Sequence, residues 1–264
     1  MAGPQWEAAM SEHVVVTREA GVLEIRLNRP DKKNALTRDM YAAMADAMAA
    51  SNDDPAVRAI ILTGTGDAFT SGNDVRDFQK RAETNAESSS GRFLPTISTL
   101  RKPLIAAVNG MAIGIGTTML MHADLILAAR SATFRMPFTP LGLVPEAGSS
   151  LLVPQAIGLR RANALLLLGE AIDAATAAEW GLINAVVADA DLMPTARAMA
   201  AKLAALPAAS VRATKALIKT GAPVLAERMA EELVVFRQRV ASPEAGEAFA
   251  AFVEKRKPDF SRFE

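Results

Sequence analysis

Pro103-Leu104-Ile105-Ala106-Ala107-Val108-Asn109-Gly110-Met111-Ala112-Ile113-Gly114-Ile115-Gly116 reads as a buried strand, a turn and a glycine-bearing loop that opens an apolar helix. An unbroken apolar run of strand length, stopped by Asn109-Gly110, is what a strand covered on both faces looks like. The helix is expected from Gly114 to His122. A loop entering a helix leaves backbone N–H groups without partners, and glycine lets a ligand approach them closely. The amide of Ile115 is the one so exposed. Taken alone, Gly114 and Gly116 equally fit tight helix packing.

Upstream the arrangement occurs once already. Ala59 to Thr63 is a short buried strand, followed by a glycine-bearing loop from Gly64 to Gly72 and then by Asn73-Asp74. Two such loops, each ending a strand, could turn two N–H groups on one point, which is what a developing oxyanion requires. Glycine spacing by itself fits an ordinary strand-to-helix turn at least as well. The loop lacks the lysine and hydroxyl residue of a phosphate-binding P-loop, so nucleotide hydrolysis is not supported.

Around these loops the chain alternates. Val14 to Arg18 and Val22 to Leu27 flank Glu19-Ala20-Gly21 as a hairpin, and Thr37 can cap a helix from about Arg38 to Ala50. Ala82 to Gly91 has the composition of a mobile linker. Asp124 to Ala129 is the next strand, and Thr133 to Arg135 continues the alternation. From Ser149 the chain is mostly helical, over Ser149–Ile157, 160–168, 174–179, 192–206 and 211–220, with 185–187 extended. Ser242-Pro243-Glu244 starts a last helix, cap followed by proline. The fold class is therefore α/β, and the amphipathic C-terminal helices need a surface to cover.

Composition narrows the function. With 29 Lys+Arg against 29 Asp+Glu in 264 residues, no net field holds the chain on nucleic acid or an anionic membrane. Few aromatics, one Tyr and two Trp, further disfavour RNA binding. There is no cysteine, hence no disulfide, thiol nucleophile or thiolate metal site. Two histidines, His13 and His122, are too few and too separated for a metal site or a triad; no metal is expected. The N-terminus has no basic segment leading into an apolar run, and no stretch approaches a membrane span. A soluble, cytoplasmic protein is the expectation.

Glu146 lies in Leu141-Gly142-Leu143-Val144-Pro145-Glu146-Ala147-Gly148, an otherwise apolar loop entering a helix. Lost solvation there raises a carboxyl pKa toward the range useful for proton transfer. An exposed first-turn glutamate that favours the helix dipole is an equal reading of the same residues.

Several ordered motifs together carry a resemblance over about Val14 to Phe260. They are Asn28-Arg29-Pro30 with Asn34-Ala35-Leu36, Gly64-x-Gly66-x-Ala68-Phe69-x-Ser71-Gly72-x-Asp74, and Pro103 to Gly110. Gly181-Leu182-Ile183 and Ala248-Phe249 with Glu254 to Phe260 complete the series. The chain resembles the crotonase (enoyl-CoA hydratase/isomerase) superfamily. That resemblance implies a β-β-α spiral core over residues 1–200 and a helical C-terminal trimerisation region over 201–264, assembled as a homotrimer or homohexamer. It implies an acyl-CoA substrate, with coenzyme A as part of the substrate and no separate cofactor. Asn73 and Ile115 would supply the two oxyanion amides. Lys33, Ala35, Ser71, Gly72, Asp74, Val75, Gly114 and Phe138 would line the substrate site. Arg29, Lys32, Lys33, Lys255 and Arg256 are candidates for phosphate contacts.

Two departures matter. Hydratases of the family carry two glutamates that activate water, and the matching positions here are Thr118 and Phe138. What remains resembles the Δ3-Δ2-enoyl-CoA isomerases, with a single glutamate in Pro145-Glu146-Ala147-Gly148-Ser149-Ser150. The implied reaction is a 1,3 proton shift from C2 to C4 of a 3-enoyl-CoA, carried by Glu146. An enoyl-CoA hydratase or another acyl-CoA reaction through the same oxyanion hole is the alternative within enzymes, and a non-catalytic CoA-binding homologue the alternative outside them.

Overall fold

A computed structural model describes residues 11–74, 90–219 and 221–263. The expected site residue Val75, and residues 82–89 of the expected linker, lie outside them. Among the described residues no helix is long and apolar enough to cross a membrane.

Among the described residues, ten strands form two sheets. The larger has the order β1-β2-β3-β5-β7-β10: Val14–Glu19, Val22–Leu27, Ala59–Gly64, Leu104–Val108, Leu125–Ala129 and Ala185–Val187. Only β1 runs antiparallel to its neighbour. The smaller sheet joins β4 (Ala68–Thr70), β6 (Met111–Ile113), β8 (Thr133–Arg135) and β9 (Ile172–Asp173). From β3 to β8 the chain lays one strand in the large sheet and the next in the small one, three times over. That is the β-β-α spiral. The short strands β4 and β6 fall within the stretches read from sequence as glycine loops; they are too brief, and too broken by glycine, to show as strands.

Period-two alternation sorts the large sheet's side chains between two cores. Ile60, Leu62, Leu104, Ala106 and Val108 face α1 (Arg38–Asp53), which buries Met40, Met44, Ala47 and Met48. Ala59, Ile61, Ile105, Ala107 and Leu127 face the other way onto Leu192, Ala196 and Ala200. Those three belong to the helix Leu192–Ala205, so the expected border at 200/201 falls inside a helix that packs on the core sheet. The predicted caps form: the Thr37 hydroxyl accepts from Met40 N–H and the Ser242 hydroxyl from Ala245 N–H.

Before α1, Lys33 and Asn34 have positive φ, +50° and +54°. Asn34 is fully buried. Its Oδ1 accepts from Arg29 N–H at 2.8 Å, and its Nδ2 donates to the Thr65 and Ala68 carbonyls at 2.9 and 2.7 Å. One side chain thus ties the loop before α1 to the strand β4 beneath it. Asn34→Ala is expected to cost about 3 kcal/mol in denaturant unfolding, because three hydrogen bonds between a fully buried side chain and the backbone are lost. A loss below about 1 kcal/mol would contradict the tie.

Candidate active site

Parallel pairing of β4 with β6 sets the two glycine motifs side by side: Ala68 pairs with Met111 and Thr70 with Ala112. Beyond that pairing only glycine fits. A Cβ on Gly72, whose φ is +92°, would lie 2.8 Å from the Ile113 carbonyl. One on Gly116 would lie 2.6 Å from Thr70 Cγ2. These glycines serve close approach of the two loops to each other.

The strand geometry then aims Asn73. Leu36 N–H donates to the Gly72 carbonyl at 2.8 Å, and the Leu36 carbonyl accepts from Asp74 N–H at 3.0 Å. In such a parallel bridge the intervening Asn73 turns its own N–H the other way. Among the described residues that N–H has no acceptor. Ile115 opens the short helix α3 (Ile115–Thr118), so its N–H has no intrahelical partner, and Gly114, with φ +56°, borders open space. The expected long helix from Gly114 to His122 is instead this α-turn followed by a tighter 3-10 segment, Met119–His122.

Both amide-bearing residues line a cavity of about 670 Å³. Ala35, Ser71, Gly72, Asp74, Gly114 and Phe138 line it as well. Lys33 does not: its ammonium is turned onto Asp67 at 2.6 Å on the exposed side, and Lys32 lines the cavity in its stead. In the sequence Arg29, Lys32 and Lys33 look equivalent, and nothing local marks the left-handed backbone at Lys33. Asp74 holds Arg29, Nη1 to Oδ2 2.7 Å, and so fixes a guanidinium at the cavity wall. Arg256 lines the cavity within the same chain, its guanidinium bound by Glu247 and Glu254.

Glu146 borders an adjoining cavity of about 340 Å³, and Asn73 and Phe236 line both. Its walls are largely apolar, with Leu94, Pro95, Met229 and Leu233. Burial pushes the Glu146 carboxyl up to about 7; the Thr118 hydroxyl, 2.5 Å from Oε1, pulls it down, and the charge of Glu232 raises it. In the sequence Thr118 shows only the absence of a glutamate. Its hydroxyl orients the glutamate that is present.

Other partners went unforeseen. Tyr41 donates its phenol to Asn73 Oδ1 at 2.7 Å, fixing the side chain next to the exposed amide. Tyr41 sits on the buried face of α1, where an aromatic reads simply as core. Glu232 comes from the helix Ala222–Val240, which is absent from the helices expected from sequence. Behind the Glu146 turn, buried His122 is held neutral, its pKa pushed down to about 4 by desolvation, so Nε2 donates to the Ala147 carbonyl at 2.8 Å. Among the described residues no cluster of His, Asp or Glu could hold a metal.

Chemically, two amides without acceptors on one cavity can carry the charge of an oxyanion, and a carboxyl poised near neutrality can move a proton beside it. The fold is that of the crotonases, and the comparisons agree. The enoyl-CoA hydratase/isomerase family model matches residues 17–262. A 1,2-epoxyphenylacetyl-CoA isomerase of Escherichia coli K12 is 35% identical, covering 96% of this chain and 99% of that protein. A crotonyl-CoA hydratase of Syntrophomonas wolfei is 34% identical over 94% of this chain and 98% of its own. The crystal structure of an enoyl-CoA hydratase/isomerase from Pseudoalteromonas atlantica superposes with a TM-score of 0.91 at 44% identity, over 95% of this chain and all of that one. The chain belongs to the enoyl-CoA hydratase/isomerase family, a family of enzymes.

Proposed function

We propose that the protein is a Δ3-Δ2-enoyl-CoA isomerase. The thioester oxygen of a 3-enoyl-CoA sits on the Asn73 and Ile115 amides, Glu146 takes a proton from C2, and the dienolate charge rests on the oxyanion. The same carboxyl returns the proton to C4. No water, metal or separate cofactor takes part. Arg29 and Lys32 flank the CoA end of the cavity, and the acyl chain runs past Asn73 toward the apolar pocket beside Glu146.

The observation that carries this reading is Glu146 itself: a carboxyl pushed up to about 7, with a hydroxyl and a phenyl ring where hydratases have their two water-activating glutamates. A hydratase reading has in its favour the crotonyl-CoA hydratase relative and one structural observation, that Glu232 puts a second carboxylate on the same cavity. Both of its oxygens, however, already accept backbone N–H groups, which leaves it poorly placed to handle water. Assembly as a homotrimer or homohexamer belongs to the same proposal; Leu217, Ile218 and Val224 on the C-terminal helices are exposed and apolar.

The base works only when ionised, so kcat/KM for a 3-enoyl-CoA should fall on the acid side with a midpoint near pH 7. Thr118→Val removes a bond to the charged form and should move that midpoint upward. An acid limb near 4.5, the ordinary glutamate value, would count against a buried base. Stability carries the opposite sign. Between about 4.5 and 7 the folded chain holds a proton that the unfolded chain releases, so this group's contribution declines as pH rises through that window.

A further inference from the structure

Glu232 plays no part in the proton shift, yet it is 7% exposed and has no cationic partner among the described residues. A carboxylate taken out of water without a counter-ion is costly unless hydrogen bonds replace its hydration. Here Oε2 accepts from Gly148 N–H at 2.6 Å and Oε1 from Ser150 N–H at 2.9 Å. These amides open α4 (Ser149–Ile157), whose own cap residue, Gly148, has no side chain to offer. Glu232 caps that helix from 84 residues away along the chain.

The clamped turn is the one that carries Glu146. Ala147 and Gly148 follow it with φ of +61° and +75°, and a non-glycine residue in the left-handed region persists only where its surroundings over-determine it. The fasteners are the Ser149 hydroxyl on the Glu146 carbonyl, His122 on the Ala147 carbonyl, and Glu232 on Gly148 and Ser150. Of these, only Glu232 also borders the cavity that Glu146 faces. Contact is close: a Cβ on Gly148 would come within 2.4 Å of Leu225 on the same helix as Glu232.

We propose that Glu232 is a positioning residue for Glu146: it clamps the turn that carries the base and sets the negative charge that the base sees. The proposal rests on the reading of Glu146 as the base. Its charge acts in the direction seen for Glu146, whose carboxyl it helps to raise against the Thr118 hydroxyl. Among the described residues lining the Glu146 cavity, Glu232 is the only other charged side chain. Behind the turn, His122 is neutral above about pH 4, and Lys219 is drawn to the His122 carbonyl and to Asp124.

Three measurements on the full chain test this, one of them without substitution. Amide hydrogen exchange of the unaltered protein should show Gly148 and Ser150 N–H strongly protected; exchange at the rate of free amides would overturn the clamp. In Glu232→Gln, a carboxyl-13C NMR titration should show the Glu146 midpoint moving to lower pH, and kcat should fall by roughly 10-fold with little change in KM, since small displacements of a base cost that much or more. A Glu146 midpoint that stays put or rises in Glu232→Gln would overturn the proposal. The NMR titration needs no turnover. If the unaltered protein fails to isomerise a 3-enoyl-CoA, the functional reading falls, while the titration still decides the role of Glu232.

Discussion

Glu146→Gln is expected to lower kcat for 3-enoyl-CoA isomerisation by about 1,000-fold, with KM changed by no more than about twofold. The amide fills the space of the carboxyl and can keep an oxygen toward Thr118, 2.5 Å away in the parent, so the cavity holds its shape. What disappears is the proton carrier. In the proposed mechanism Glu146 serves both half-reactions, removing C2–H and reprotonating C4, and no second residue shares the loss. Stopped assays under substrate saturation read kcat directly. Activity within about 10-fold of the parent would mean that another group takes the proton.

Gly72→Ala should be nearly as damaging, with kcat reduced by about 100-fold or more. The added methyl meets the Ile113 carbonyl at 2.8 Å, and a φ of +92° is strained for alanine wherever it has room. The loop must shift, and the Asn73 amide shifts with it, away from the thioester oxygen. Losing one oxyanion donor costs on the order of 3 kcal/mol in the transition state. The damage should appear in kcat more than in KM, since the oxyanion forms only after binding. Gly158→Ala is a useful contrast: its φ is also positive, +80°, but nothing lies within 4 Å of the new carbon. It should lose some stability and little activity.

Much of the large sheet and its helices is legible in the residues because they are written in local signals, whereas the spiral itself is implied only by the resemblance. Buried strands such as Leu104–Val108 are continuous apolar runs, and the caps at Thr37 and Ser242 are single-residue chemistry. The small sheet is not legible, since strands of three residues set between glycines have no period to detect. The helix Ala222–Val240 went unrecognised although Pro223 stands in its first turn; its mixed polar and apolar face becomes intelligible only once the Glu146 turn is seen beneath it.

The site divides the same way. Asn73, Ile115 and Glu146 could be picked out because motifs surround them, and the structure brings Asn73 to the cavity on both sides. Tyr41 and Glu232 act on those residues from 32 and 84 or more positions away, and nothing local distinguishes a tyrosine in a core or a glutamate in a helix. Lys33 shows the converse. Its position in a basic run suggested the site, and one left-handed residue turned it away.

The most direct test supplies the purified protein with a 3-enoyl-CoA and, separately, with the conjugated 2-enoyl-CoA, and follows the conjugated thioester in both. The conjugated thioester should appear from the first substrate, fail to appear in Glu146→Gln, and show no comparable loss by hydration of the second. Hydration of the 2-enoyl-CoA faster than isomerisation of the 3-enoyl-CoA would contradict the isomerase reading, and would move the water-activating carboxylate to a residue other than those at positions 118 and 138.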